Sequence, residues 1–580
     1  MKKFIPAILL LAAFCGVYAQ KSRDMAVSRG LNTFGAIVRE LQTTYVDTID
    51  NTKAFNQAIN AMLETIDPYT VYYPSESRED ITKMTTGEYG GIGAYLLERD
   101  GKSFVSEPMP GSPALLAGLR AGDHIIRVDT VDVSGKKTAD VSKLLRGRPD
   151  TEVKVSVARP FAKGVPAGYN AMDSLARVKA EALASDTLTF ILTRHKLREA
   201  SVPFAGILPG EIGYIQINQF IEKTGEEVRD ALNEFRKDPN LKGIIIDLRG
   251  NGGGLLEQAV DVASNFLPKG TEVVRTKGRS GDADKIYKTH RTPLYPDIPL
   301  AILIDGGTAS ASEILAGAVQ DLDRGVLIGS RSFGKGLVQT TRPLPYGGVL
   351  KVTVARYYTP SGRLIQALDW VHRNEDGSAA RVPDSLTHVY KTRLGREIRD
   401  GGGLQPDTVV EWPKINRLVY NAVRDNWVFD YATRYAATHP AIAPAGEFTV
   451  TDSIYSDFKE SIDPARFKYD RAMEDATEQL RKIADEEGYI NPETTAAFDT
   501  LKKLLTHNLS RDLDTHRAQI EPYLGSEIVG RYYLQEGRSE FSTRHDNTVA
   551  LALSLLPSAE YKALLQPKAA KGAASKPKSK

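Results

Sequence analysis

Cysteine is almost missing from this chain: among 580 residues the sole example is Cys15, inside the N-terminal apolar run. If that run is removed on export, the remainder holds no thiol, which excludes disulfides, thiolate metal sites and a cysteine nucleophile together. A surplus of either charge is missing too. A net charge of +2 lacks the basic excess that phosphate-binding surfaces need, so nucleic acid is not the expected partner. Nor is there an apolar run long enough to cross a membrane, because the stretch from Phe4 to Phe14 falls short of the roughly 18 residues a span requires. With Lys2 and Lys3 before it and Val17, Tyr18 and Ala19 after, segment 1–19 reads as a signal peptide cleaved after Ala19. A periplasmic location is expected, with a membrane anchor facing the periplasm as the alternative. Bulky Phe14 suits lipoprotein cleavage before Cys15 poorly. No H-E-x-x-H or comparable ligand spacing appears, so neither metal nor cofactor is expected.

What is present reads as several modules, as the length demands. Segment 20–86 has helical periodicity, with Phe34, Ile37, Val38 and Leu41 on one face. From 87 to 195, short β-type runs are separated by glycine and proline. Segment 196–411 alternates strand and helix patterns, which predicts an α/β core with a mixed, largely parallel sheet and flanking helices. Two stretches interrupt this order. Residues 160–185, rich in Ala, read as a solvated surface loop, and 367–402 as a polar insertion. Segment 412–566 turns helical, with Asp463-Pro464 and Asn491-Pro492 each placing a capping side chain before a proline, and is expected to form a separate domain. Residues 567–580 read as a disordered basic tail.

Gly90-Gly91-Ile92-Gly93, then Gly111-Ser112-Pro113-Ala114, Ala117-Gly118-Leu119 and Gly122-Asp123-His124-Ile125-Ile126, resemble a PDZ domain. The resemblance implies a groove walled by a helix over 141–145, where an extended peptide adds a strand and rests its terminal carboxylate on the amides of Gly90, Gly91, Ile92 and Gly93. Arg146, at the end of that helix, is expected to reach the α/β core and signal occupancy. The bland alternative is a solvated arginine.

The chemistry concentrates in two segments, DGGTASASEILAGAVQD over 305–321 and GSRSFGKGLVQ over 329–339. Together they resemble the signature of the C-terminal processing peptidases, also called tail-specific proteases. In that family the nucleophilic serine stands 25 positions before its lysine, a spacing that leads from Lys335 back to Ser310 rather than to Thr308 or Ser312. Physical chemistry points the same way. A serine between the Asp305 strand and a helix lies at a helix N-terminus, where free N–H groups favour negative charge. The N–H of Ala311 then suits an oxyanion. A second donor is expected from the loop after the neighbouring strand, Gly253 first and Gly254 close behind, where missing side chains admit a substrate carbonyl.

Serine needs a base, and none of the nine histidines lies in either segment. A lysine serves only if burial lowers its usual pKa of about 10.4. Phe333, Leu337 and Val338 are expected to provide that setting, and an extended run over 335–339 would put Gln339, the family's third catalytic position, on the face of Lys335. Glu313 and Asp321 also match the signature, but at a helix start and end they are expected to order structure. The glycine loop lacks the third glycine of a dinucleotide motif, since position 255 is leucine. The expectation is a serine endopeptidase acting through an acyl-enzyme on proteins or peptides with free C-termini, in envelope protein processing or degradation. A silent PDZ adaptor would have lost the Ser/Lys pair, and an esterase or amidase would not need a peptide-binding module.

Overall fold

The computed structural model describes residues 5–279, 281–411, 414–469 and 472–567, the side chains of 5–23 and 371 excepted. Lys2 and Lys3 of the expected leader, and the expected tail beyond Pro567, lie outside the described residues. Two compact units emerge, one made of 1–75 with 341–352, the other of 76–340 with 353–580.

In the first unit a helix spans Ile5–Thr44, and a second, Asn51–Glu64, starts where the Asp50 carboxylate accepts the Lys53 N–H at 3.0 Å. Segment 20–86 is not purely helical: strand Val71–Tyr73 pairs antiparallel with 349–351. The apolar face predicted around Phe34 forms, but Phe34, Ile37 and Leu41 stay exposed, with Phe34 edge-on to Phe55 at 5.9 Å.

The second unit begins with helix Arg78–Thr86 and continues into the PDZ-like sheet. Strands Ala94–Arg99, Lys102–Pro108, His124–Val128, Glu152–Arg159 and Asp186–Thr193 lie antiparallel in that order. Helix Thr138–Leu145 closes over their apolar face through Val141 and Leu145. Residues 160–185 are not a solvated loop. They form a short turn of helix at Tyr169–Ala171 and helix Ser174–Ala184, around a small core of Phe161, Tyr169 and Ala184. The reason lies far off in the sequence: the buried Arg177 donates to the carbonyls of Glu460 and Ser461, and Asn170 Nδ2 to Asp457 Oδ1 at 2.7 Å.

The catalytic candidate is built on a six-stranded sheet ordered Phe204–Leu208, Ile212–Gln216, Gly243–Asp247, Leu300–Ile304, Val326–Gly329 and Thr408–Val409. Its first pair is antiparallel and the rest parallel. The unbroken apolar runs at 244–246 and 300–304 are those of strands buried on both faces. Helices Thr224–Phe235, Leu256–Ala263 and Ala311–Asp321 cover one face. A second, antiparallel sheet joins Glu272–Gly278 to Lys285–Lys288 and to 355–358, so the core is mixed rather than one largely parallel sheet. The insertion 367–402 folds into two hairpins, Leu368–Arg373 with Ala379–Arg381 and Val389–Lys391 with Glu397–Arg399.

The C-terminal segment is helical and has a core of its own, and its last helices also reach the six-stranded sheet. Helices Trp427–Thr438, Asp452–Ser461 and Arg517–Arg544 share a core of Tyr431, Phe458, Ile528 and Phe541. The last two, Asn547–Leu555 and Ala559–Leu564, instead cover the other face of the six-stranded sheet, where Val549, Ala552 and Leu555 meet Tyr214, Ile245 and Leu303. Asn491 caps helix Pro492–Leu505 as its sequence suggests, whereas Asp463-Pro464 makes a turn, with Asp463 Oδ1 accepting the Ala465 N–H.

Candidate active site

Strand Leu300–Ile304 ends at Asp305, and the chain must turn sharply to enter helix Ala311–Asp321. Asp305 organises that turn: its Oδ1 accepts the N–H groups of Gly307 at 2.9 Å and Thr308 at 3.1 Å, and that of Gly250 at 2.9 Å from the glycine loop. Ser310 follows at φ 57°, ψ −116°, a strained conformation for a residue with a Cβ, of the sort that clusters at active sites. It is half-buried, and its rivals are fully buried and engaged. Thr308 Oγ1 donates to the Leu248 carbonyl at 2.9 Å, and Ser312 Oγ to that of Asn251 at 3.0 Å.

Glu313 is buried at the heart of this arrangement. Its Oε2 accepts the main-chain N–H of Ser310 and that of Lys335, each at 2.9 Å. The two nitrogens are thus no further apart than those two bonds laid end to end. Oε1 accepts the Gly334 N–H at 2.7 Å and the Ser332 hydroxyl at 2.5 Å. Burial pushes the Glu313 pKa up to about 7, and these four donors hold it from rising further. Sequence reasoning treated Glu313 as a structural helix-start residue. The signal that it also gathers the Lys335 loop was its spacing, serine then glutamate three residues on, which is the pattern of a capping box.

Lys335 is half-buried, in a segment pressed between Gly334 and Gly336. A Cβ on Gly334 would lie 2.4 Å from that of Ala367, and one on Gly336 3.0 Å from the Gln366 nitrogen. The strand expected over 335–339 starts two residues late, at Leu337–Pro343, because Gly334 at φ 86° and the Gly336 contacts with Gln366 and Tyr357 hold the earlier residues in irregular backbone. Of the expected apolar setting, Val338 packs against the core but Phe333 is exposed. Gln339 Nε2 donates to Thr353 Oγ1 at 3.1 Å. Asp321, at the far end of the helix, is a buried partner of Arg363 at 2.7 Å and of the Ser361 N–H.

The glycine loop lies against Ser310. A Cβ on Gly253 would sit 2.8 Å from that of Ser310 and 2.9 Å from the Ala311 nitrogen, so only glycine fits. The Gly253 N–H, however, is already donated to Asn251 Oδ1 at 2.9 Å, a bond between near neighbours that periodicity could not reveal. Gly254 is held through its neighbours: Phe220 N–H donates to the Gly253 carbonyl and Leu255 N–H to that of Phe220.

In the PDZ-like domain, a cavity of about 210 Å³ lies between Gly91, Ile92 and Gly93 on one side and Ala139, Ser142 and Leu145 on the other. Gly90 does not line it. Gly90 and Gly91 belong to strand Glu88–Gly91, paired with His195–Arg198, and Gly90 abuts Gly147. Arg146 lines the cavity. Its guanidinium meets Asp80 at 3.6 Å and the Tyr89 ring at 5.6 Å, because helix Arg78–Thr86 stands beside it.

Comparison with known proteins assigns these parts. Residues 211–371 match the model of Peptidase family S41, 104–159 that of the PDZ domain, and 418–556 that of the probable PDZ-protease C-terminal helical domain. Together they define a serine-type peptidase carrying a PDZ domain. The carboxy-terminal-processing protease of Bartonella bacilliformis is 35% identical over 371 residues, covering 63% of this chain and 80% of that one. The carboxy-terminal processing protease CtpA of Bacillus subtilis is 30% identical over 385 residues, covering 66% and 75%. The chain belongs to the C-terminal processing protease family.

Proposed function

We propose that this peptidase cuts peptide bonds by a Ser/Lys mechanism in which Ser310 is the nucleophile and Lys335 its base. The observation that carries the reading is the Glu313 clamp, which ties the main chain of both residues to one carboxylate oxygen. Neutral Lys335 takes the Ser310 proton as Oγ bonds to the scissile carbonyl carbon, and the carbonyl electron pair moves to oxygen. That oxyanion rests on the Ala311 N–H and on Gly253, whose N–H exchanges Asn251 Oδ1 for it, with Gly254 the nearest substitute. On collapse the C–N bond breaks, the leaving amine takes the proton from Lys335, and an acyl-enzyme remains. Water, deprotonated by Lys335, then releases the new carboxylate and restores Ser310. Gln339 orients this lysine without adding charge. The PDZ cavity holds the free C-terminus of a protein or peptide substrate, with Ile92 and Gly93 facing its carboxylate and Arg146 alongside. Export to the periplasm, and envelope protein processing or degradation, complete the proposal.

Ser310→Ala and Lys335→Ala test it. Each should reduce cleavage of an unfolded protein substrate to below a tenth of wild type with an unchanged melting temperature, and the double variant should be little worse than either. Substantial activity in either single variant contradicts the assignment.

A further inference from the structure

Among the described residues, an ion pair between Arg249 and Asp546 joins the C-terminal helices to the strand end that leads into the glycine loop. Arg249 is the residue immediately before Gly250. Its guanidinium holds both oxygens of Asp247, with Nε at 2.9 Å from Oδ1 and 3.1 Å from Oδ2, and its remaining arm, Nη1, reaches Asp546 Oδ2 at 2.7 Å. The Arg249 and Asp247 side chains are 13% and 6% exposed and that of Asp546 24%, so the Arg249–Asp247 pair is shielded from water and salt and Asp546 meets it from the partly exposed side. Tyr214 adds a hydroxyl to Asp247 Oδ2 at 2.8 Å. Asp546 is bifunctional. Its Oδ1 accepts the N–H groups of Thr548 and Val549 and starts helix Asn547–Leu555, which leaves Oδ2 for Arg249.

The loop that follows is fixed link by link. Arg249 N–H donates to Asp247 Oδ1, Gly250 N–H to Asp305 Oδ1, and Asn251 N–H to the Leu248 carbonyl at 3.1 Å. The Asn251 carbonyl in turn accepts the Ala309 N–H at 3.0 Å, next to the nucleophile. A rotation of Arg249 would therefore be carried along these links to Gly253, which lies so near Ser310 that a Cβ added to it would be 2.8 Å from that of Ser310.

We infer that Arg249 is a positioning residue for the oxyanion loop, and that Asp546 of the C-terminal helices completes its anchor, so that these helices set catalytic efficiency as well as covering the sheet. This rests on the acyl-transfer reading above. An oxyanion donor must be held to a fraction of an ångström, and small displacements there lower turnover more than ground-state binding.

Asp546→Asn separates the two duties of this carboxylate, since the amide oxygen keeps capping the helix while the NH₂ faces the guanidinium. The full-length protein would be assayed on a fluorogenic peptide with a free apolar C-terminus. Affinity for the matching peptide aldehyde would be measured beside it, because its Ser310 adduct carries the oxyanion. The expected result is a kcat about tenfold lower, KM within twofold, aldehyde affinity weakened by about the same factor as kcat, and a melting temperature within about 2 °C of wild type. Arg249→Lys, which loses the two-pronged grip, should show the same signature, and the double variant should be no worse than Arg249→Lys alone. Wild-type kcat and aldehyde affinity in Asp546→Asn, a change confined to KM, or additive losses in the double variant would each overturn the inference. Failure of wild type to cleave, or cleavage that survives Ser310→Ala, would strike the acyl-transfer reading instead.

Discussion

Glu313 shows how one buried carboxylate can serve both fold and chemistry. Ionised, it accepts three main-chain N–H groups and a hydroxyl, an arrangement a neutral amide cannot reproduce because glutamine offers one acceptor oxygen and sets an NH₂ against N–H donors. Glu313→Gln should lower kcat by at least about tenfold at pH 8, and the gap should narrow below pH 7 as wild type takes up its own proton. Stability should move the other way. The folded pKa of about 7 lies above the ordinary 4.5, so this group's contribution is fully present below about 4.5 and is lost as pH rises through about 7. The change amounts to roughly 3 kcal/mol. Urea unfolding of both proteins from pH 4 to pH 8 checks it: wild type should lose ground to Glu313→Gln across that window, and parallel curves would contradict the assignment. The Ser310 turn and its helix were legible in the sequence, since a strand-length apolar run, two glycines and an apolar helix admit few other shapes. The engagement of Gly253 was not, because it depends on the rotamer of Asn251.

Helix Ser174–Ala184 was misjudged for a related reason. Its Ala-rich sequence has the composition of a solvated excursion, and what buries Arg177 is the end of helix Asp452–Ser461, nearly three hundred residues away. A guanidinium there meets carbonyls that the helix itself leaves unpaired. Arg177→Ala should cost about 2–3 kcal/mol, since those carbonyls would be left buried without a donor. Hydrogen exchange should show 174–184 and 452–461 losing protection together. Unchanged protection of either segment would mean that the contact does not hold the PDZ domain to the helices. Glu107, on strand Lys102–Pro108, adds a second tie through Arg538 at 2.9 Å. Neither tie has a local signature, whereas the strands themselves were readable from glycine and proline punctuation and alternating burial such as that of Glu152–Arg159.

Across the whole molecule, a PDZ domain and a peptidase share one chain, so a substrate held by its tail, as proposed, would meet the active site at a raised effective concentration. The same protein substrate with an amidated C-terminus should be cut at least about tenfold more slowly than the free acid, because amidation removes the charge that Ile92 and Gly93 are proposed to face. Equal rates would leave the PDZ domain without a part in substrate choice. The central claim is that peptide bonds are broken through an acyl group on Ser310. Rapid acid quenching during turnover of a peptide ester, followed by mass spectrometry of the digested protein, tests it most directly. The account predicts the substrate's acyl group on the peptide containing Ser310 in wild type and no adduct in Ser310→Ala; an acyl group on another residue, or turnover persisting in Ser310→Ala, would contradict it.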